Sequence, residues 1–322
     1  MAKKQQSLYQ NKNVGHFIAL CFYMAVAYSL YIAASNMNYV WKWNSIPDYF
    51  IYNEIKTIEA PVDGKLVFED NTYFIDNNGE KEKLDLDNSY KFSYEIGEDV
   101  YKGDYIATKS EKNVGPILKG LWITVTISFL AAILTFIIGI IIALMRLSSF
   151  QFLKDIATVY VTVIRGTPLL VQIFLFYFIV ANIFELDSFI AGVLSLGIFF
   201  GAYMAEILRG AIQSIDKGQL EASKSLGMTN FQAMRYIILP QAFKRALPTL
   251  VGEMIALIKD SSLVSVISIT DLTKVGKEIV ANTFSAFETW IVIALVYLAI
   301  TSILSYIGHV LEKKLAAKGG VS

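Results

Sequence analysis

Five ionisable side chains stand in stretches otherwise apolar enough for lipid: Glu206 and Arg209 near the end of one, and Glu253, Lys259 and Asp260 in the next. Burying charge in hydrocarbon is expensive, so such residues face a bundle interior or a watery path and by default mark a substrate or ion site. The chemistry they offer is binding. A buried carboxylate at Glu206 or Asp260 can hold an ammonium group through charge-assisted hydrogen bonds, and Ser261, Ser262 and Gln172 add neutral donors and acceptors. Glu206 and Arg209, three apart, can also pair across one helical turn, with Arg209 reaching the cytoplasmic interface. In "RGTPLL", Arg165, Gly166 and Pro168 form either a bend in a moving helix or a plain helix start.

Other chemistries are not encoded. The sequence has no glycine-rich phosphate loop ending in Gly-Lys-Ser/Thr, so it is not expected to hydrolyse ATP by itself. His16 and His309 are too isolated for a metal site or a catalytic triad and read as interfacial. Cys21 has no partner for a disulfide. A formal net charge of zero provides no global basic field for nucleic acid.

With 55% hydrophobic and 17% charged residues and a mean hydropathy of +0.49, the 322-residue chain falls in the membrane class. Crossing a bilayer takes about 20 apolar residues, and six windows qualify, at roughly 14–34, 116–145, 159–182, 189–208, 247–269 and 288–311. Lys3, Lys4 and Lys12 precede the first window, Arg146 and Lys154 follow the second, Arg209 to Arg245 follow the fourth, and Lys313, Lys314 and Lys318 end the chain. If every window crosses, all four basic stretches share the cytoplasmic side, and both termini lie there. "YIAASN" offers Ala33 and Ser35 at signal-peptidase spacing, but the apolar run exceeds that of a signal peptide, so an uncleaved anchor is expected.

Residues 36–115 change character. "IEAPVDGKLVFED" and "YEIGEDVYKGDYIAT" alternate as strands do, "DNNGEKEKLDLDN" is turn-rich, and the segment reads as a small β domain outside the membrane. The pieces "APVDGKLV" and "GEDVYKGDYIA" weakly resemble the half-motifs of lipoyl-like barrel-sandwich domains, without the modified-lysine hairpin of a swinging arm.

Between the fourth and fifth windows, "GQLEASKSLGMTNFQAMRYIILPQA" fits two short helices broken near Gly227, with Thr229 or Asn230 capping the second and Pro240 ending it. Spacing alone leaves an interfacial helix open. The pattern of Glu221, Ala222, Ser223, Gly227, Ile237, Leu239 and Pro240, however, resembles the cytoplasmic loop of ATP-binding-cassette (ABC) importer permeases. "GLWITVTIS", "RGTPLLVQ", "GAYMAEILRGAIQSIDKGQLEA" and "ILPQAFKRALPTLVGEMIALIKDSSLVSVISITDL" extend the resemblance over about residues 115–315, to the polar-amino-acid permeases of histidine, glutamine and arginine type.

The resemblance implies an all-α polytopic membrane protein, a type I ABC importer permease bundle, with a small β-rich external domain inserted after the first span. It implies a non-enzymatic subunit of a bacterial cytoplasmic-membrane importer that carries a polar amino acid inward by alternating access. Its expected partners are two copies of an ATP-binding subunit that hold ATP and Mg, a second permease chain and an extracytoplasmic amino-acid-binding protein. In the family the loop at Glu221–Pro240 couples to the ATPase, and the substrate site carries over to Tyr203, Glu206, Asp260, Ser261 and Ser262. The expected domains are an anchor at 1–35, the β domain at 36–115, the permease at 116–315 with its coupling loop at 211–245, and a tail at 316–322. A membrane-anchored adaptor or sensor that uses the external β domain is the alternative.

Overall fold

The structure, a computed structural model, describes residues 12–37, 39–69, 72–86 and 89–317, so Lys3, Lys4, Lys318 and the end of the expected tail lie outside the described residues. The chain divides into two units, Met1–Trp43 and Asn44–Ser322. In the first, α1 (Lys12–Ser35) occupies the first apolar window and buries none of its own residues. Trp41 stacks on Trp43 at 5.9 Å and meets Tyr39 edge-on at 5.2 Å, an aromatic group of the kind that sits at a membrane interface.

The second unit begins with a 3-10 turn at Pro47–Tyr49, and β strands follow. They are β1 (Ile51–Glu59), β2 (Gly64–Glu69), β3 (Thr72–Asn77), β4 (Glu80–Leu84), β5 (Lys91–Phe92), β6 (Asp99–Val100) and β7 (Tyr105–Val114). One sheet has the order β1-β7-β5 and the other β4-β3-β2-β6. Inward-facing Ala60, Leu66, Ile75, Leu84, Val100 and Ile106 form the core. The two half-motifs pair with each other: β2 meets β6 at Gly64↔Val100, and Ala60 exchanges backbone hydrogen bonds with Gly103 and Asp104. The stretch read as turn-rich holds β4, because Asn78 and Gly79, both at positive φ, close a tight β3–β4 hairpin. β1, mostly upstream of the alternation read from sequence, pairs with β7 from Ile51↔Val114 to Ile58↔Ala107. On this ladder Lys56 and Lys109 donate to Glu111, which holds that carboxyl below the usual carboxylate range and raises Lys56.

The helices that follow are α2 (Pro116–Leu147), α3 (Gln151–Arg165), α4 (Leu169–Leu175), α5 (Asn182–Phe184), α6 (Ser188–Gln213), α7 (Lys217–Ser225), α8 (Asn230–Ala233), α9 (Leu239–Asp260), α10 (Leu272–Thr283) and α11 (Ala286–Ala317). α2 and α6 form the central pair. Lipid supplies no hydrophobic drive between helices, so small residues let backbones approach. α2 buries Gly120, Thr124, Ser128, Ala131, Thr135, Gly139 and Ala143, and α6 buries Ala191, Gly192, Ser195, Gly197, Gly201, Ala202 and Ala205. A side chain on Gly201 would start 2.7 Å from Ile138 Cγ2, and one on Gly139 would start 2.7 Å from Met204 Cβ.

Two windows differ from the reading as simple spans. Window 159–182 begins inside α3, which joins Leu169–Phe184 across a 107° bend at the Gly166–Pro168 break. Window 247–269 lies partly in α9, which starts earlier, at Leu239, carries five charged residues and ends at Asp260 in a 3-10 turn, Ser261–Ile267. Among the described residues four helices are long and apolar enough to cross, or five with the bent pair. Those charges make α9 too polar to face lipid on all sides, and it packs against α6 and α11.

The close approach of α2 and α6 is testable. Gly201→Val is expected to lower detergent-solubilised stability by about 1–3 kcal/mol through overpacking. Gly210→Ala, where nothing lies within 4 Å, should leave the thermal midpoint unchanged or raise it. Equal midpoints for the two variants would refute the interface.

Candidate functional site

Glu206 lies on α6, three residues before Arg209, and the expected pair forms, reinforced by an Arg209 Nε to Glu206 Oε2 hydrogen bond of 3.2 Å. Arg146, read from sequence only as a topology signal, ends α2 and reaches Glu206 Oε2 at 3.3 Å. One carboxylate therefore ties α2 to α6. Arg165, at the end of α3, lies with its guanidinium 5.1 Å over the Tyr203 ring, which packs on Phe199 at 5.0 Å. Arg165 is also within electrostatic reach of Glu206 and of Glu253 on α9. A cleft of about 290 Å³ between α6 and α9 is lined by Glu206, Gly210, Ser214, Arg245 and Thr249, with Arg245 donating to the Ser214 carbonyl.

Glu253 and Asp260 are seven residues apart on α9, hence two turns apart on one face. Both are half-buried, and neither forms an ion pair within 4 Å among the described residues. Asp260 ends the helix, and the next two residues open the 3-10 turn. Ser261 is fully buried and donates to the Ile258 carbonyl at 2.8 Å, whereas Ser262 lines a cavity of about 280 Å³ with Lys259, Thr273, Trp290 and Tyr297. The expected binding residues thus fall in two groups: Tyr203 and Glu206 on α6, and Asp260, Ser261 and Ser262 where α9 ends.

Gln172 is buried behind the α3–α4 break. Its Nε2 donates to the Ile164 carbonyl at 2.8 Å and to Thr167 Oγ1 at 2.7 Å, while Thr167 Oγ1 donates to the Val163 carbonyl at 3.0 Å. Pro168 has no N–H to give, and this side chain occupies carbonyls that the break leaves open. Gln172 Oε1 is buried without a hydrogen-bond partner. The three residues Arg165, Gly166 and Pro168 all lie at this corner.

The loop after α6 begins with Asp216 capping α7. Ser223 is buried, while Glu221 and Ala222 are exposed beside it. Gly227 follows α7 at φ +78°, a conformation that glycine adopts without strain, and its N–H bonds to the Lys224 carbonyl. Thr229 caps α8 in a reciprocal box with Gln232, choosing between the two expected caps. Pro240 does not end the second helix. α8 runs through a π turn, Met234–Ile238, into α9, so Pro240 lies in the first turn of α9, where its missing N–H costs little. Ile215, Ile238 and Ala242 bury the inner side of the loop, whereas Leu226, Phe231 and Tyr236 stay exposed.

Residues 116–317 match the family described as "Binding-protein-dependent transport system inner membrane component". The chain belongs to this family. It is 40% identical over 202 residues to the Escherichia coli K12 glutamine transport system permease protein GlnP, covering 62% of this chain and 92% of that one. The Bacillus subtilis 168 arginine transport system permease protein ArtQ is 39% identical over 201 residues, again 62% and 92%. A solved amino acid ABC transporter with histidines shares 43% identity at a TM-score of 0.58, covering 62% of this permease and 94% of that chain. The MetNI methionine ABC transporter, at 16% identity, TM-score 0.54 and coverage of 62% and 95%, shares the fold. The type I ABC importer permease fold is therefore present, in a multi-pass inner-membrane component, and the β domain precedes the matched span.

The Glu206 ion pairs predict a stability effect. Glu206→Gln leaves Arg146 and Arg209 facing a neutral amide in a partly exposed setting, at an expected cost of about 1–2 kcal/mol. Arg146→Gln combined with Glu206→Gln should lose less than the sum of the two single variants, and strict additivity in thermal denaturation would dissolve the network.

Proposed function

We propose that this permease carries a polar amino acid inward by alternating access, as the membrane subunit of an ABC importer. The supporting observation is the cytoplasmic loop: its inner side is packed, Gly227 makes the turn, and Leu226, Phe231 and Tyr236 remain exposed for a partner. That partner is the ATP-binding subunit, in two copies that hold ATP and Mg, and a second permease chain completes the core. An extracytoplasmic binding protein delivers the amino acid. Both termini are cytoplasmic, with an anchor at 1–35, the β domain outside at 36–115, the permease at 116–315 and a tail at 316–322.

The proposed substrate residues are Gln172, Tyr203, Glu206, Asp260, Ser261 and Ser262. Asp260 has no ion-pair partner to displace and is the stronger ammonium ligand, whereas Glu206 would exchange part of its hold on Arg209 or Arg146 for the ligand. Gln172 braces the hinge at Arg165, Gly166 and Pro168 with its amide nitrogen and keeps its oxygen as an acceptor. ATP-driven closure moves the loop, the bundle opens outward, and hydrolysis returns it inward. Release follows from differential affinity between the two states.

Co-purification with an ATPase subunit and competition of uptake across the amino acids test the assignment directly. Asp260→Asn should raise the apparent transport constant about ten- to a hundredfold with assembly intact, the range of a lost charge-assisted contact. An unaltered constant removes Asp260 from the site. Gly227→Trp should leave the protein inserted and ATP hydrolysis measurable while uptake fails, and normal uptake would sink the coupling role. In intact cells, cysteine at Asn78 should label from outside and cysteine at Asn230 should not, and the reverse pattern would invert the topology.

A further inference from the structure

The β domain precedes the span shared with the relatives, and its junction with the permease is unusually close. β7 enters α2 across one residue, Gly115, whose N–H bonds to the Phe50 carbonyl at 2.7 Å. A Cβ at Gly115 would lie 2.7 Å from the Phe50 carbonyl carbon, so the two backbones are in contact. Ile46, Tyr49 and Phe50 pack into a cluster with Ile117 of α2, Leu272, Val275 and Ile279 of α10, and Val292 and Ile293 of α11. Thr124 Oγ1 of α2 accepts from the Leu272 N–H at 3.0 Å, and Lys277 of α10 donates to Ser265 at 3.1 Å, which links this cluster to the turn that follows Asp260. No flexible linker separates the strand ladder from these helices.

Such a mounting fixes where the far end of the domain stands. The ten residues of β7 rise by about 33 Å at strand geometry, roughly the diameter of a small domain. Its distal end is Tyr105, and β5 runs antiparallel beside it, carrying the chain onward past Tyr94. Ile96, Tyr101 and Tyr105 are 63%, 67% and 58% exposed there. Tyr101 also borders a concavity of about 460 Å³ whose lining carries Asp63, Asp76 and Asp99 together with Lys65, a set that is acidic on balance. Exposed aromatic and aliphatic anchors beside an acidic hollow suit a partner that presents lysine or arginine around an apolar patch. A second copy of the same tip would bring like charges together.

We propose that this tip is a docking surface for the flank of the extracytoplasmic substrate-binding protein, held at fixed height beside the outer ends of α10 and α11. The inference rests on the importer reading and goes beyond it. The family's own description makes transport dependent on a binding protein, and the β domain is keyed to the starts of α2 and α11, the side on which the proposed topology has such a protein discharge. A globular protein seated there is tall enough to be touched on its side by the tip.

The test uses the full transporter in nanodiscs with the binding protein identified by its stimulation of wild-type ATPase activity. A photo-crosslinking amino acid at Ile96 or at Tyr101 should yield a permease–binding-protein adduct on irradiation, and one at the exposed Trp122 of α2 should not. Ile96→Asp combined with Tyr101→Asp should weaken binding-protein affinity at least tenfold. Crosslinking only between two permease copies, or no adduct together with unchanged affinity, overturns the proposal. If no binding protein stimulates the wild type, the importer reading has failed instead, which keeps the two failures distinguishable.

Discussion

The close approach of α2 and α6 is the constraint on which the other helices depend. Between helices in lipid there is no gain from hiding apolar surface, so adhesion comes from van der Waals contact at short range. Glycines at 139, 192, 197 and 201 permit that range, and larger side chains from the neighbouring element fill each gap: Met204, Ile127 with Ile269, Leu134 and Ile138. Thr135 and Tyr160 add hydrogen bonds to the carbonyls of Gly197 and Ile198 on α6. α3, α9 and α10 then lean on this pair, and the charged side chains obtain a protein-lined interior.

Polar groups inside that interior are satisfied by proximity across the bundle. Arg146 comes to Glu206 because α2 and α6 run side by side to their C-terminal ends. Gln172 reaches back over the break at Pro168 and donates to the Ile164 and Thr167 carbonyls, which a continuous helix would have bonded internally. Asp271 is fully buried, accepts from the Thr273 and Lys274 N–H groups as the cap of α10, and lies 3.4 Å from the Tyr297 hydroxyl. Among the described residues Glu253 and Asp260 form no ion pair within 4 Å, in contrast to Glu206.

Some of this was legible in the sequence because its causes are local. Gly227 and Thr229 mark a turn and a cap within a few residues of themselves, and both took those roles. Pro240 misled, because the residue type that stops a helix when placed inside it is also welcome in the first turn of the next, and local pattern does not distinguish the two. β4 was hidden behind its own turn residues, and Arg146 looked like one more basic residue at a span end. Its pairing with Glu206 joins residues sixty apart and has no local signature.

The sequence by itself determined the membrane character, the apolar windows, the β-rich insertion and the membership signalled by the ordered motifs from "GLWITVTIS" to "KDSSL". The first three follow from composition and from period along the chain, and the membership from the resemblance of those motifs to a known family. Tertiary structure decided that the third window bends by 107° and that Glu206 holds two arginines. It also decided that the β domain stands on Gly115 without a linker. Each of those depends on which distant backbones approach closely enough to exclude a side chain or share a carboxylate, and that is a property of packing in three dimensions.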